Sequence, residues 1–305
     1  MNVFIVTGAT AVGKTDLSLY LAEEYSGEIV CLDSRQIYKE INIGTAKPDI
    51  EMQKKIPHHL FNFLNLNEIY NAFKYKIDCE LTLQQIIDNK KTPILVGGTG
   101  FYIDALIKGL TDLNSDDSIR NYLYNYEKNY PGKLGILMEK IDKKSFNKIH
   151  KNDLKRIIRF FEIFINSGIK FSELKFENKP KYNYKIIVLD RDRKELHERI
   201  NKRVEQMFED GLIEEVETLY KKGFNENINA LNTIGYKEVF KYLRKEITYE
   251  ECKELIKVNT RRYARRQIIY FRKLENTLWV NISNLEIPEI KEKVKNYIMR
   301  GDFDA

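Results

Sequence analysis

The sequence predicts an α/β protein, a parallel sheet flanked by helices with a helical subdomain inserted into it. Three observations carry this. Short apolar runs at 4–6, 28–32, 93–96 and 186–189 are each followed by turn residues and a helical pattern, the alternation of a parallel sheet. Glycine clusters stand directly behind the first and third of these runs. Residues 116–178 lose the strand signal and show helical periodicity with many Tyr and Lys.

The first run, Phe4-Ile5-Val6, leads into Gly8-Ala9-Thr10-Ala11-Val12-Gly13-Lys14-Thr15, and then into Asp16-Leu17-Ser18-Leu19-Tyr20-Leu21 with helical spacing. This is G-x-x-x-x-G-K-T with a strand before it and a helix after it, the context a phosphate-binding loop requires. Gly8 and Gly13 permit a loop whose backbone N–H groups converge, and the helix N-terminus adds the positive end of its dipole. Lys14 supplies a full charge, and the Thr15 hydroxyl can ligate magnesium. An ordinary glycine-rich turn has no packing reason to place Lys-Thr after its second glycine. Residues 8–15 are therefore expected to hold a di- or triphosphate, on a P-loop NTPase-like sheet.

The second strand, Glu28-Ile29-Val30-Cys31-Leu32, ends at Asp33-Ser34-Arg35-Gln36. In a parallel sheet this puts Asp33 at the carboxyl end, beside the phosphate loop. Loops through 43–48 and 57–60 follow, then a helix at about 69–89 and the strand 93–96. That strand ends in Gly97-Gly98-Thr99-Gly100, with a helix opening near Phe101. In the helical stretch the clearest element starts at Asp153 and runs through Leu154, Ile157, Ile158, Phe161 and Ile165 to Gly168. The expected organisation is a core of 1–115 and 181–305 and an insertion of 116–180. Asp192 and Glu195 have capping-box spacing for one long helix reaching about Lys221. Helices at about 235–245 and 248–272 and a last strand at 278–280 complete the chain.

Composition narrows the partners. The net charge is +6, but residues 1–110 carry 11 basic against 13 acidic side chains and the remainder 40 against 32. The excess therefore lies outside the phosphate loop, which suits a polyanion bound by the rest of the chain. A general bias toward Lys and Asn is the plainer alternative. No apolar run reaches transmembrane length and no leader peptide is evident, so no membrane partner and a cytoplasmic location are expected. Cys31, Cys79 and Cys252 lack metal spacing and read as reduced thiols.

Three strand ends thus aim Lys14-Thr15, Asp33 and Thr99 at one crevice. The third strand ends in Gly-Gly-Thr, where an ATPase or GTPase would usually carry its magnesium carboxylate. Asp190 reads as a turn former before a helix. Asp33, followed by polar residues and with no helix to cap, reads as a functional acid. Leu196, Ile200, Arg203 and Met207 share one helix stripe, so Arg203 faces the sheet and needs an anion, the bound phosphates or a carboxylate such as Glu209. Lys155-Arg156-Ile157-Ile158-Arg159 and Arg261-Arg262-Tyr263-Ala264-Arg265-Arg266 are basic stretches suited to an RNA backbone. A solvated helix face is the alternative, though no acid occurs between Arg261 and Lys273.

Together these segments resemble the tRNA dimethylallyltransferases. Residues 8–15, Asp33-Ser-Arg-Gln-Ile-Tyr38, Ile43-Gly-Thr-Ala-Lys-Pro48, Pro57-His-His-Leu60 and Val96-Gly-Gly-Thr-Gly100 occur in that family's order. So do Lys155–Arg159, Ile234-Gly-Tyr-Lys237 and the 260–267 run. Ala9 and Val12 stand where the family usually has Pro and Ser, without touching Gly8, Gly13, Lys14 or Thr15. The absence of a zinc-finger extension suggests the bacterial type.

The resemblance implies transfer of a dimethylallyl group from dimethylallyl diphosphate to N6 of the adenine 3′ of a tRNA anticodon. Residues 8–15 would hold the diphosphate, with Mg2+ through Thr15, and Lys14 and Arg203 would stabilise the leaving group. Asp33 would be the general base. Asp33, Ser34, Arg35, Gln36, Thr99, Arg120, residues 155–159, Arg261 and Arg265 would contact the anticodon stem-loop. No obligate protein partner is implied, and a monomer is expected. A P-loop kinase acting on a nucleotide or small metabolite is the rival reading, and a non-catalytic RNA-binding protein is a third.

Overall fold

A computed structural model of the chain describes residues 2–48, 50–109, 116–174, 180–283 and 285–299. The chain divides into two compact units, Met1–Ile107 with Pro180–Ala305, and Lys108–Lys179. Residues 110–115 and 175–179, at the expected borders of the insertion, lie outside the described residues.

The larger unit is built on a parallel sheet of β1 (Asn2–Gly8), β2 (Gly27–Cys31), β3 (His58–His59), β4 (Thr92–Val96), β5 (Asn183–Asp190) and β6 (Thr277–Asn281), in the order β3-β2-β4-β1-β5-β6. Every pairing is parallel. Its helices are α1 (Lys14–Glu24), α2 (Ile50–Lys55), α3 (Ala72–Asp88) and α4 (Gly100–Ile107). After the smaller unit come α9 (Arg193–Glu209), α10 (Leu212–Lys221), α11 (Tyr236–Leu243), α12 (Tyr249–Phe271) and α13 (Ile287–Met299). Val3, Ile5 and Val6 of the central strand are fully buried, as expected of a strand covered on both faces. The chain leaves β1 for β2 on one side and returns as β5 on the other, so β1 ends at the switch point where such sheets bind ligands.

Three expectations need correction. The long helix from Asp192 to about Lys221 is two helices, broken where Gly211 takes a left-handed φ of 96°. Glycine adopts that conformation at little cost, and it redirects the chain while apolar spacing continues across the break. Nor does Asp192 cap α9: its carboxylate accepts from Asn281 Nδ2 at 3.0 Å, and Glu195 instead pairs with Arg191. The His58–His59 strand, read from sequence as loop, is a two-residue pairing with β2.

The smaller unit holds α5 (Asp117–Asn129), α6 (Lys133–Ile141), α7 (Lys143–Phe146) and α8 (Leu154–Ser167) around Leu123, Leu134, Met138, Phe160 and Phe161. Asp153 caps α8 through the Arg156 N–H at 3.2 Å, and Gly168 ends it at a φ of 71°. Among the described residues no helix is long and apolar enough to cross a membrane.

Candidate active site

The phosphate loop is shaped by its neighbours before any ligand is considered. Gly8 sits at a φ of 143°, and a Cβ there would fall 2.4 Å from the Leu189 carbonyl oxygen of β5. Ala11 also takes a left-handed φ, 64°, which a non-glycine residue keeps only where the surroundings enforce it. Three arginines supply that enforcement. Arg191 Nε donates to the Val12 carbonyl at 2.8 Å and Arg199 Nε to the Ala11 carbonyl at 2.9 Å. Arg203 Nη1 reaches the Thr10 hydroxyl at 3.4 Å. The stripe on α9 does turn Arg203 inward, beside buried Leu196 and Ile200, and not toward Glu209.

Lys14 Nζ donates to the carbonyls of Gly8 and Ala9, at 3.0 and 2.9 Å. Burial and the neighbouring Arg203 lower its pKa to about 8, against a smaller opposing pull from Asp33. An anion bound in the loop favours the charged amine, so binding restores the proton. Affinity for inorganic pyrophosphate is therefore expected to fall as pH rises from about 7 to about 9, with proton uptake on binding at the alkaline end. Calorimetry in buffers of differing ionisation enthalpy checks this against Lys14→Arg, whose guanidinium does not titrate there. Identical pH profiles for the two proteins would contradict it.

Behind β4, Gly97 lies so close to β2 that a Cβ would stand 2.1 Å from the Leu32 carbonyl oxygen. Thr7 Oγ1 donates to the Gly97 carbonyl at 2.8 Å. The second glycine turn is thus a packing seam that brings three strand ends together. Gln267 of α12 crosses it, accepting from the Thr10 N–H at 2.9 Å and donating to the Gly98 carbonyl at 3.0 Å. Sequence reasoning passed over Gln267 and Arg191. An uncharged Gln at the end of an arginine run was the available signal. Gln267→Ala leaves one buried donor and one acceptor unmatched, so a loss of about 1–3 kcal/mol in unfolding free energy is expected, with weaker pyrophosphate binding. Urea denaturation and titration measure the two.

Asp33 lies where the sequence puts it, but it does have a turn role. Its Oδ1 accepts from the Arg35 N–H at 2.8 Å and the Gln36 N–H at 3.4 Å. That turn uses one of its two carboxylate oxygens, so the turn role does not exclude the functional reading. Thr99 is absent from the cavity walls, and its hydroxyl accepts from the Ser34 N–H at 3.0 Å.

Two cavities meet here. The first, of about 120 Å3, is lined by Lys14, Thr15, Ile29, Cys31, His58 and Phe61, among others. The second, of about 340 Å3, is lined by Ser34, Arg35, Thr233, Lys237, Thr260 and Arg266, among others. Both include Thr10, Asp33, Thr45, Ala46, Arg203 and Tyr263 in their walls. A glycine-rich loop, two half-buried cations, a carboxylate and an aromatic ring thus share one crevice. Such a set can hold an anionic leaving group on one side and a flat acceptor on the other.

The expected nucleic-acid contacts divide. Lys155, Arg156, Arg262, Arg265 and Arg266 are exposed. Arg261 is half-buried and donates to Asn201 Oδ1 at 2.6 Å. Arg120 and Arg159 flank Glu162, itself buried, at 2.9 and 3.5 Å. Ile157 and Ile158 are a correction: they are 2% and 1% exposed and form the core of the smaller unit, so their side chains cannot touch RNA. The basic string is one turn of an amphipathic helix whose apolar face points inward.

The family model described as IPP transferase matches residues 36–274. The chain is 50% identical over 296 residues to the tRNA dimethylallyltransferase of Petrotoga mobilis, covering 96% of this chain and 98% of that protein. It is 44% identical over 302 residues to the tRNA dimethylallyltransferase of Thermotoga neapolitana, covering 99% of each. Among solved structures it is similar to the full-length tRNA isopentenylpyrophosphate transferase of Bacillus halodurans, with a TM-score of 0.74 and 35% identity, over 98% of this chain and 95% of that one. A eukaryotic dimethylallyltransferase captured acting on tRNA gives a TM-score of 0.84 at 28% identity, over 99% of this chain and 79% of that one.

Proposed function

This chain belongs to the IPP transferase family, and from that premise we propose that it moves a dimethylallyl group from dimethylallyl diphosphate to N6 of the adenine just 3′ of a tRNA anticodon. Its relatives are named tRNA dimethylallyltransferases, and the chain is an enzyme of that kind. The donor, the acceptor atom and the residue roles rest on the crevice. The observation that carries them is that Asp33 and Arg203 stand in the walls of both cavities, next to the loop that holds Lys14.

The diphosphate lies against residues 8–15. As the allylic C–O bond breaks, negative charge gathers on the departing diphosphate, and Lys14, loop N–H groups and Arg203 stabilise it. The exocyclic amine of adenine is a weak nucleophile because its lone pair is delocalised into the ring. As the new C–N bond forms, its proton passes to the Asp33 carboxylate, which the turn holds by Oδ1.

Magnesium fits this donor set. The Thr15 hydroxyl is a hard oxygen ligand on the first cavity's wall, and the cation takes few protein ligands when phosphates supply the rest. Among the described residues no group of three or more His, Cys, Asp or Glu could hold a metal without such help. Bound there, it would neutralise charge on the diphosphate.

Ser34 and Arg35 line the second cavity, where the adenine enters after leaving its stack, a cost of a few kcal/mol that outward basic residues offset. Those residues are Lys155, Arg156, Arg262 and Arg265, with Arg120 and Arg159 held by Glu162. The test is incubation with labelled dimethylallyl diphosphate, magnesium and bulk bacterial tRNA, followed by digestion to locate the label. Label on the adenine 3′ of the anticodon is expected. No label, or label elsewhere, overturns the reading, and magnesium-dependent phosphoryl transfer from ATP would favour the kinase.

A further inference from the structure

Glu215 of α10 lies outside both cavity walls, yet its carboxylate collects three successive backbone donors. Oε2 accepts from the Asn42 and Ile43 N–H groups at 3.0 Å each, and Oε1 accepts from the Gly44 N–H at 3.5 Å and from the Tyr236 hydroxyl. Tyr236 is itself fully buried, and its ring is packed so closely on Gly44 that a Cβ there would meet it at 2.4 Å. The anchored segment turns through Ala46, which takes a left-handed φ of 49°. A non-glycine residue holds that conformation only where its surroundings fix it.

The fixed turn then acts on the neighbouring loop. The carbonyls of Thr45 and Ala46 accept from Gln36 Nε2 at 3.0 and 3.1 Å. The Gln36 and Arg35 N–H groups in turn hold Asp33 Oδ1. Charge and geometry therefore run from α10 through the 42–46 turn to the acid between the two cavities.

We propose that Glu215 is a positioning residue that sets the aim of the Asp33 carboxylate through the 42–46 turn and Gln36. The proposal rests on the functional reading above for the meaning of that aim. A purely structural Glu215 would lower stability without altering turnover, whereas misaiming a catalytic group by an ångström or less slows the chemical step.

The test compares the full-length wild type, Glu215→Gln, Gln36→Ala and the double variant. Glu215→Gln keeps size and an acceptor but removes the charge that gathers the three N–H groups. Hydrogen exchange of the Arg35 and Gln36 amides, which Glu215 does not touch, is expected to speed up by roughly tenfold in Glu215→Gln. Single-turnover prenyl transfer is expected to slow by roughly tenfold, with tRNA affinity within about twofold, and the double variant to be no slower than the worse single one. Unchanged exchange at residues 35 and 36 overturns the proposal, as do additive rate effects. A wild type that transfers no prenyl group counts against the functional reading, and the exchange measurement still decides the relay.

Discussion

Asp33→Asn is expected to slow single-turnover prenyl transfer by roughly 10²–10⁴-fold, the usual worth of a positioned general base, while tRNA affinity stays within about twofold. Asparagine is the informative replacement because its side-chain oxygen can still accept from the Arg35 and Gln36 N–H groups. The turn survives and the proton acceptor is lost. Asp33→Ala removes both, so it should lose a further ~1 kcal/mol of stability, the scale of a side-chain cap. Quench-flow with pre-bound tRNA separates chemistry from binding. If Asp33→Asn transfers normally and only Asp33→Ala is impaired, the carboxylate is a turn former and the proton goes elsewhere.

Arg203→Gln should reduce the same rate by about 10²–10³-fold, the cost of losing one donor aimed at developing charge in a water-poor site. Burial and the nearby Arg199 already lower the pKa of its guanidinium, so a negative partner is welcome there. Arg199→Gln is the comparison. That side chain is exposed and spends its Nε on the Ala11 carbonyl, so its loss should loosen the loop and raise the pyrophosphate dissociation constant more than it slows the chemical step. Equal loss of rate in both variants would mean that Arg203 also acts by shaping the loop.

The parts of this site that were legible in the chain are those written in contiguous residues. The phosphate loop, the strand before it and the acid at the end of β2 each declare themselves within a dozen positions, because strand burial and loop geometry are local demands. What escaped is what the fold assembles from afar. Gln267 meets Thr10 across 257 positions, and Glu215 meets Asn42 across 173. A lone polar side chain carries no periodicity that would reveal such a meeting. Two misreadings have a local origin instead. Ile157 and Ile158 were grouped with the arginines beside them, although a helix separates neighbours onto different faces. The α9–α10 break was invisible because apolar spacing resumes on the far side of Gly211.

Helix α12 carries two unlike duties on opposite sides. Tyr263, Gln267 and Tyr270 recur at intervals of four and three, facing the crevice, the loop staple and the Gly100 carbonyl, while Arg262 and Arg265 face water. A rod of this kind lets selection work on each side separately. On the proposed function, the outer charges can change to hold tRNA more or less tightly while the inner row keeps its contacts with the glycine turn. Engineers wishing to redirect such a protein to other nucleic acids have the same freedom.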